Sequence, residues 1–294
     1  MTAELRQGSV HANNLRFHYL EAGSGPLALC LHGFPDQAHT FLGQLTALAS
    51  AGYRAVAPFM RGYAPTEPSP TGCYQTAALA QDVIALIDAL GAKTAAVIGH
   101  DWGAVAALGA AQLAPARITK LIALSVPHVA PLFQAFVTNP AQQRRSWYLF
   151  FLQQTLADAA VAHDDFAFLE RIWQDWSPGW RYPPEQMEAL KSTFRQPGVV
   201  AAALGYYRCL FNTALHDPAL TKEQAELFTR PIGVPTLYIH GAKDGCIGVE
   251  LVKEMDGMFA SGLQKVIVPD AGHFVHQEAA EDVNRQILAF LKDY

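Results

Sequence analysis

One feature restricts the fold more than any other: an alternation of strand and helix patterns that stops and later resumes. Short apolar runs at Leu27–Leu31, Tyr53–Ala57, Ala95–Ile98 and Ile118–Leu124 are separated by longer stretches. Those stretches, Ala38–Ser50, Gln75–Leu90 and Trp102–Leu113, are rich in Ala, Leu and Gln at helical spacing. Strand and helix in turn imply a mostly parallel sheet with helices on both faces, an α/β fold. From about His128 to Arg230 the texture changes to aromatic and polar helical patterns, broken at Trp176–Ser177–Pro178–Gly179 and at Pro183–Pro184. The alternation returns with Thr236–His240 and Lys265–Val268 as strands and Ala279–Lys292 as a closing helix. Two strands alone make no stable sheet, so the last segment must rejoin the first. The expected organisation is one core from residues 1–127 and 231–294, with 128–230 inserted as a helical cap. Open α/β sheets bind ligands at the carboxyl ends of their strands, the end such a cap would cover.

The sharpest local signal is Gly99–His100–Asp101–Trp102–Gly103, where the strand Ala95–Ile98 meets the following helix. Small residues two before and two after a central position permit a very tight strand-to-helix turn. The central side chain is then pushed into the open beside a helix N-terminus. Asp101 occupies that centre, where serine is usual. Asp also caps helices often, and the residue alone does not choose between capping and catalysis.

Its partners make the choice. The run His32–Gly33–Phe34–Pro35–Asp36 directly follows the first strongly buried strand. In this architecture an oxyanion hole takes one N–H from that loop and one from the residue after the nucleophile, here Phe34 and Trp102. Phe34–Pro35 is a candidate for cis geometry, since only X–Pro bonds adopt it cheaply. Asp244 follows the strand Thr236–His240, and His273 follows Lys265–Val268. Nucleophile, acid and histidine then come in the chain order this architecture requires. No acid stands between Leu124 and the cap, which favours Asp244 as the acid orienting the base His273. His276 is the competing base. His32 and His100 read as hydrogen-bonded framework, because neither has a second metal-ligating residue at ligand spacing.

On these residues the chain resembles the epoxide hydrolase branch of the α/β hydrolases, and it is similar also to the haloalkane dehalogenases. The resemblance runs from about Asn14 to the C-terminus and is most specific at His32–Gly33–Phe34–Pro35, at Gly99–His100–Asp101–Trp102–Gly103 and at Gly272–His273. It implies the α/β-hydrolase fold and, in the cap, two tyrosines that hold the epoxide oxygen. Ser146–Trp147–Tyr148 and Gly205–Tyr206–Tyr207–Arg208 match those segments and point to Tyr148 and Tyr207, with Tyr206 a lesser candidate. Two departures stand out. The family's acid near Phe59 and glycine at Ala64 are missing, and Asp36 replaces a common glutamate.

The chemistry gives Asp101 a reason to be a carboxylate. Epoxide opening requires attack on saturated carbon, and serine would leave an ether that water cannot cleave. A carboxylate leaves an ester, which water hydrolyses at its carbonyl. The implied reaction converts an epoxide and water to a vicinal diol. A haloalkane dehalogenase is the nearest rival, but that family's halide-binding asparagine is here Phe34. From another class, a non-catalytic ligand-binding module on the same fold is the alternative, since fold alone proves no activity.

Composition narrows the partners. With 51% apolar residues, 16% charged residues and a net charge of −5, there is no basic footprint for nucleic acid or anionic membranes. Residues 1–10 lack the apolar stretch of a secretory signal. The four cysteines lie far apart, without zinc or dithiol spacing, and read as thiols of a cytoplasmic enzyme. No nucleotide fingerprint appears, and neither cofactor nor metal is expected.

Overall fold

The computed structural model describes residues 4–292. Eight strands form one sheet in the order β1-β2-β4-β3-β5-β6-β7-β8. They are β1 (Leu5–Ala12), β2 (Leu15–Gly23), β3 (Leu27–Leu31), β4 (Arg54–Pro58), β5 (Ala95–His100), β6 (Ile118–Leu124), β7 (Thr236–Gly241) and β8 (Leu263–Val268). From β4 to β8 all neighbours pair in parallel; β1 and β2 are antiparallel. The inner strands β3, β5 and β7 are buried at every position, because helices cover both faces. Fully buried side chains such as Val97 and Ile98 each contribute about 1.5–3 kcal/mol relative to exposure.

The hairpin β1–β2 was not announced by the alternation. Leu5–Ala12 is polar and mostly exposed at the sheet edge, so it carries no apolar run. Its turn is nevertheless encoded: Asn13 and Asn14 both take positive φ, 45° and 62°, as a two-residue hairpin turn requires.

Helices α1 (Leu42–Ser50), α2 (Thr76–Ala89) and α3 (Trp102–Leu113) connect the first strands. The pattern expected over Ala38–Ser50 divides into a 3-10 turn at Ala38–Phe41 followed by α1. Nearly every side chain of α3 is buried, and its Ala and Gly content lets it lie close against the sheet. Between β6 and β7 come α4 (Val129–Thr138), α5 (Pro140–Arg145), α6 (Trp147–Phe151), α7 (Ala157–Trp176), α8 (Pro184–Phe194), α9 (Val199–Phe211) and α10 (Thr221–Thr229). No strand interrupts them among the described residues. Two helices, α11 (Val275–Glu278) and α12 (Ala280–Lys292), close the chain. No helix among the described residues is long and apolar enough to cross a membrane. All four cysteines are buried free thiols.

Candidate active site

Four loops at the carboxyl ends of β3, β5, β7 and β8 converge on one point. The turn after β5 is forced tight by packing. A Cβ on Gly99 would strike the Gly103 carbonyl, and one on Gly103 would strike the Leu31 carbonyl, so neither position accepts a side chain without movement. Between them Asp101 adopts φ 52° and ψ −121°, a backbone state that is sparse for any residue with a side chain. Its carboxylate makes no cap hydrogen bond to α3, which removes the helix-capping explanation for an acid here.

That carboxylate is held by one oxygen. Phe34 N–H donates to Asp101 Oδ1 at 2.8 Å. Oδ2 lies 3.5 Å from His273 Nε2. The Phe34–Pro35 peptide is cis, and so is Ala64–Pro65. The other face of His273 is fixed more firmly, with Nδ1–H donating to Asp244 Oδ2 at 2.9 Å. Asp244 Oδ1 accepts the N–H groups of Cys246 and Ile247 at 2.7 and 2.8 Å. His240 Nε2 stands 3.6 Å from Asp244 Oδ2.

Burial opposes charge on His273, but the two carboxylates outweigh it and push its pKa up to about 10. Burial likewise opposes charge on Asp244, and His273 nevertheless holds it below the ordinary carboxylate value. The resting arrangement is therefore an imidazolium between two carboxylates.

The tyrosines come from α6 and α9. Tyr148 and Tyr207 line the same cleft as Asp101, with their ring centroids 5.7 Å apart. Burial raises both phenols well above their ordinary value of 10, so both remain protonated donors. Tyr148 Oη shares a hydrogen bond of 3.1 Å with Cys246 Sγ. The Tyr207 hydroxyl is buried and makes no hydrogen bond among the described residues. Tyr206 turns the other way, donating from Oη to the Arg61 carbonyl at 2.8 Å and stacking on Tyr74.

The remaining histidines separate from this group. His32 Nδ1–H donates to the Gly33 carbonyl at 3.0 Å, and Nε2 accepts Met60 N–H at 2.9 Å, so it is a neutral brace between two loops. His100 Nε2–H donates to the His273 carbonyl at 2.9 Å. His276 stacks on Phe41, and its carboxylate neighbour is Asp36, 3.6 Å away, rather than Asp101 or Asp244.

One expectation needs correction. His100 does have a carboxylate and a second histidine beside it, because the fold gathers Asp36, His100 and His276 from three separate loops. Asp244, Cys246 and His273 form a second such group. Linear spacing cannot reveal either set. Trp176 was also missed as a contributor: its carbonyl accepts the N–H of Gly245 at 3.0 Å and of His273 at 3.1 Å. It thereby ties the loops after β7 and β8 to the end of α7.

An eight-stranded sheet with a carboxylate at its strand-to-helix turn, and an acid–histidine pair facing it, defines a hydrolase-type site on an α/β scaffold. The comparisons agree. Residues 26–280 match the family model described as alpha/beta hydrolase fold. The chain is 31% identical to the AB hydrolase superfamily protein YfhM of Bacillus subtilis, over 97% of both chains. It is 31% identical to Epoxide hydrolase 1 of Caenorhabditis elegans, over 97% of this chain and 70% of that one. Among solved structures, the Bacillus megaterium epoxide hydrolase in complex with an inhibitor superposes with a TM-score of 0.85 at 25% identity, over 97% of this chain and all of that one. The chain belongs to the α/β-hydrolase fold family, within its epoxide hydrolase group.

Proposed function

We propose that the protein hydrolyses epoxides to vicinal diols through an ester on Asp101. The observation that carries this reading is the asymmetry of that carboxylate. Oδ1 is anchored by Phe34 N–H, while Oδ2 accepts no backbone hydrogen bond, faces His273 Nε2 at 3.5 Å and shares its cleft with two protonated phenols. Relatives named as epoxide hydrolases, in Caenorhabditis elegans and in the mouse, support it.

In the first step Asp101 Oδ2 attacks an epoxide carbon as the ring C–O bond breaks. The departing oxygen takes a proton from Tyr148 or Tyr207, which a phenol supplies readily to a far more basic alkoxide. Asp101 is now a neutral ester, so one of the two charges that kept His273 protonated is gone. The imidazole pKa falls, and the proton of His273 passes through solvent to the tyrosinate left by ring opening, which restores the phenol and turns His273 into a base. It then deprotonates water, which adds to the ester carbonyl. The negative charge forms on Oδ1, already in contact with Phe34 N–H and joined by Trp102 N–H, at about 3 kcal/mol per donor. On collapse the departing diol oxygen takes back the proton that His273 removed from water, and the new Asp101 carboxylic acid passes its own proton to His273, restoring the carboxylate and the imidazolium. Asp244 orients the ring throughout. Residues 128–230 act as the cap that supplies both tyrosines and excludes bulk water. Four unpaired buried thiols support a cytoplasmic setting.

The test is diol formation by the purified protein across a panel of aryl and alkyl epoxides, with Asp101→Ala as control. Diol that disappears in the variant is expected. No diol from any epoxide would overturn the reading and move the assay to halide release.

A further inference from the structure

The reaction above leaves one cluster of buried ionisable side chains unused. Asp36, from the loop after β3, His100, the last residue of β5, and His276, in α11, bring a carboxylate oxygen and two ring nitrogens within 4.8 Å of one another. All three side chains are buried. His100 Nδ1 and His276 Nε2 lie 3.5 and 3.6 Å from Asp36 Oδ2. None of these atoms makes a hydrogen bond among the described residues, and neither does His276 Nδ1. Polar atoms left unmatched in a core are costly, so the cluster calls for an occupant.

The hydrogen bonds these residues do make aim the unmatched atoms at one another. Asp36 Oδ1 accepts the Gln37 N–H at 2.8 Å, which leaves Oδ2 for the histidines. His100 Nε2–H donates to the His273 carbonyl at 2.9 Å, so a neutral ring keeps a bare lone pair on Nδ1. That lone pair faces a carboxylate oxygen, a repulsive arrangement unless a cation stands between them. A bond from the far nitrogen of an imidazole to a carbonyl is also how metal-binding histidines are held in the ligating tautomer.

We propose that Asp36 Oδ2, His100 Nδ1 and His276 Nε2 bind a zinc ion, fastening together the segments beside Asp101 and His273. Two imidazoles and a carboxylate are a zinc donor set, whereas magnesium and calcium favour oxygen alone. Zinc bonds of about 2.0–2.1 Å set tetrahedral ligand atoms about 3.3 Å apart, close to the separations from Asp36. Water would complete the coordination. His276 also lines a cavity with Gln37, His39, Thr40 and Gln44, distinct from the cleft of Asp101, and this gives the ion an entrance that substrate does not share. The other metal-sized group, Asp244, Cys246 and His273, is closed by its own bonds: His273 Nδ1–H is committed to Asp244, and Cys246 Sγ pairs with the Tyr148 hydroxyl.

Untagged full-length protein, stripped with chelator and titrated with zinc chloride, tests the proposal. Calorimetry should show a single equivalent bound, with Tm rising as zinc is added and unmoved by magnesium. X-ray absorption at the zinc edge should show nitrogen and oxygen ligands only. His276→Gln should weaken binding by about 100-fold or more, since even outer-shell partners are worth 10- to 100-fold, and Cys246→Ala should leave it unchanged. No stoichiometric zinc in the wild type would overturn the proposal and leave a proton on His100 as the cation. A sulfur ligand at about 2.3 Å would overturn it in favour of the Cys246 group. Undiminished affinity in a folded His276→Gln would overturn it too. Should that variant fail to fold, the wild-type titration and absorption spectrum still decide.

Discussion

Phe34 and Asp101 are joined by one hydrogen bond, from the Phe34 amide to Oδ1 at 2.8 Å, and it makes the two carboxylate oxygens inequivalent. In the proposed reaction the anchored oxygen becomes the ester carbonyl and the other joins the substrate. In a single turnover in 18O-water with enzyme in excess, the first diol should therefore be unlabelled. The label should appear in the peptide containing Asp101. Label in the diol from the first turnover would mean that water attacks the epoxide directly.

In the proposed reaction His273 should govern the pH dependence. In the free enzyme it is charged up to about pH 10, held there by Asp244 and Asp101. Once Asp101 is esterified its pKa falls, so ester hydrolysis should accelerate as pH rises through a value below 10. Formation of the ester should show no such limb. Stopped-flow tryptophan fluorescence resolves the two phases, and a hydrolysis phase independent of pH would contradict the base assignment. His273→Gln should accumulate the alkyl-enzyme, visible as a mass adduct.

The adjacent tyrosines of α9 should behave differently. Tyr207 shares the cleft with Asp101, so Tyr207→Phe should slow ester formation by roughly 10- to 100-fold, within the span of general-acid effects. Tyr206 donates instead to the Arg61 carbonyl, so Tyr206→Phe should cost about 1 kcal/mol of stability with a far smaller kinetic effect. Single-turnover rates and urea unfolding separate the two variants. The reverse pattern would exchange their roles.

Beneath Tyr206 lies a buried ion pair. Arg61 Nε and Nη2 donate to Asp82 Oδ2 and Oδ1 at 2.5 and 2.6 Å, and Asn13 Nδ2 donates to the same carboxylate at 2.7 Å. Asp82→Ala should destabilise the fold by about 3–5 kcal/mol, because it strands a buried guanidinium. Equilibrium unfolding in urea measures this, and a loss under 1 kcal/mol would show that the cationic side chain finds water or a new partner.

The inner strands were legible because a strand covered on both faces must be apolar along most of its length, as Leu27–Leu31 and Ala95–Ile98 are. The edge strand Leu5–Ala12 was not, since exposure frees its side chains from that requirement. For the site, strand ends could be read for Asp101, Asp244 and His273, whereas their separations needed the fold. Spacing could not choose between Tyr206 and Tyr207, because rotation of α9 about its axis decides which one faces Asp101. The Asp36–His100–His276 group lay beyond sequence reading altogether, its members being 64 and 176 positions apart along the chain.

The Trp176 carbonyl, which receives amides from both the Gly245 and His273 loops, has a consequence for engineering. Every amino acid carries that oxygen, so no substitution at position 176 can delete it, and a scan of side chains there would report only on the indole. Changes of length would act on it directly. Adding or removing a residue between Trp176 and Pro184 would shift the end of α7 against both loops, so grafting a foreign cap must preserve the path of the chain there as well as the pocket it encloses.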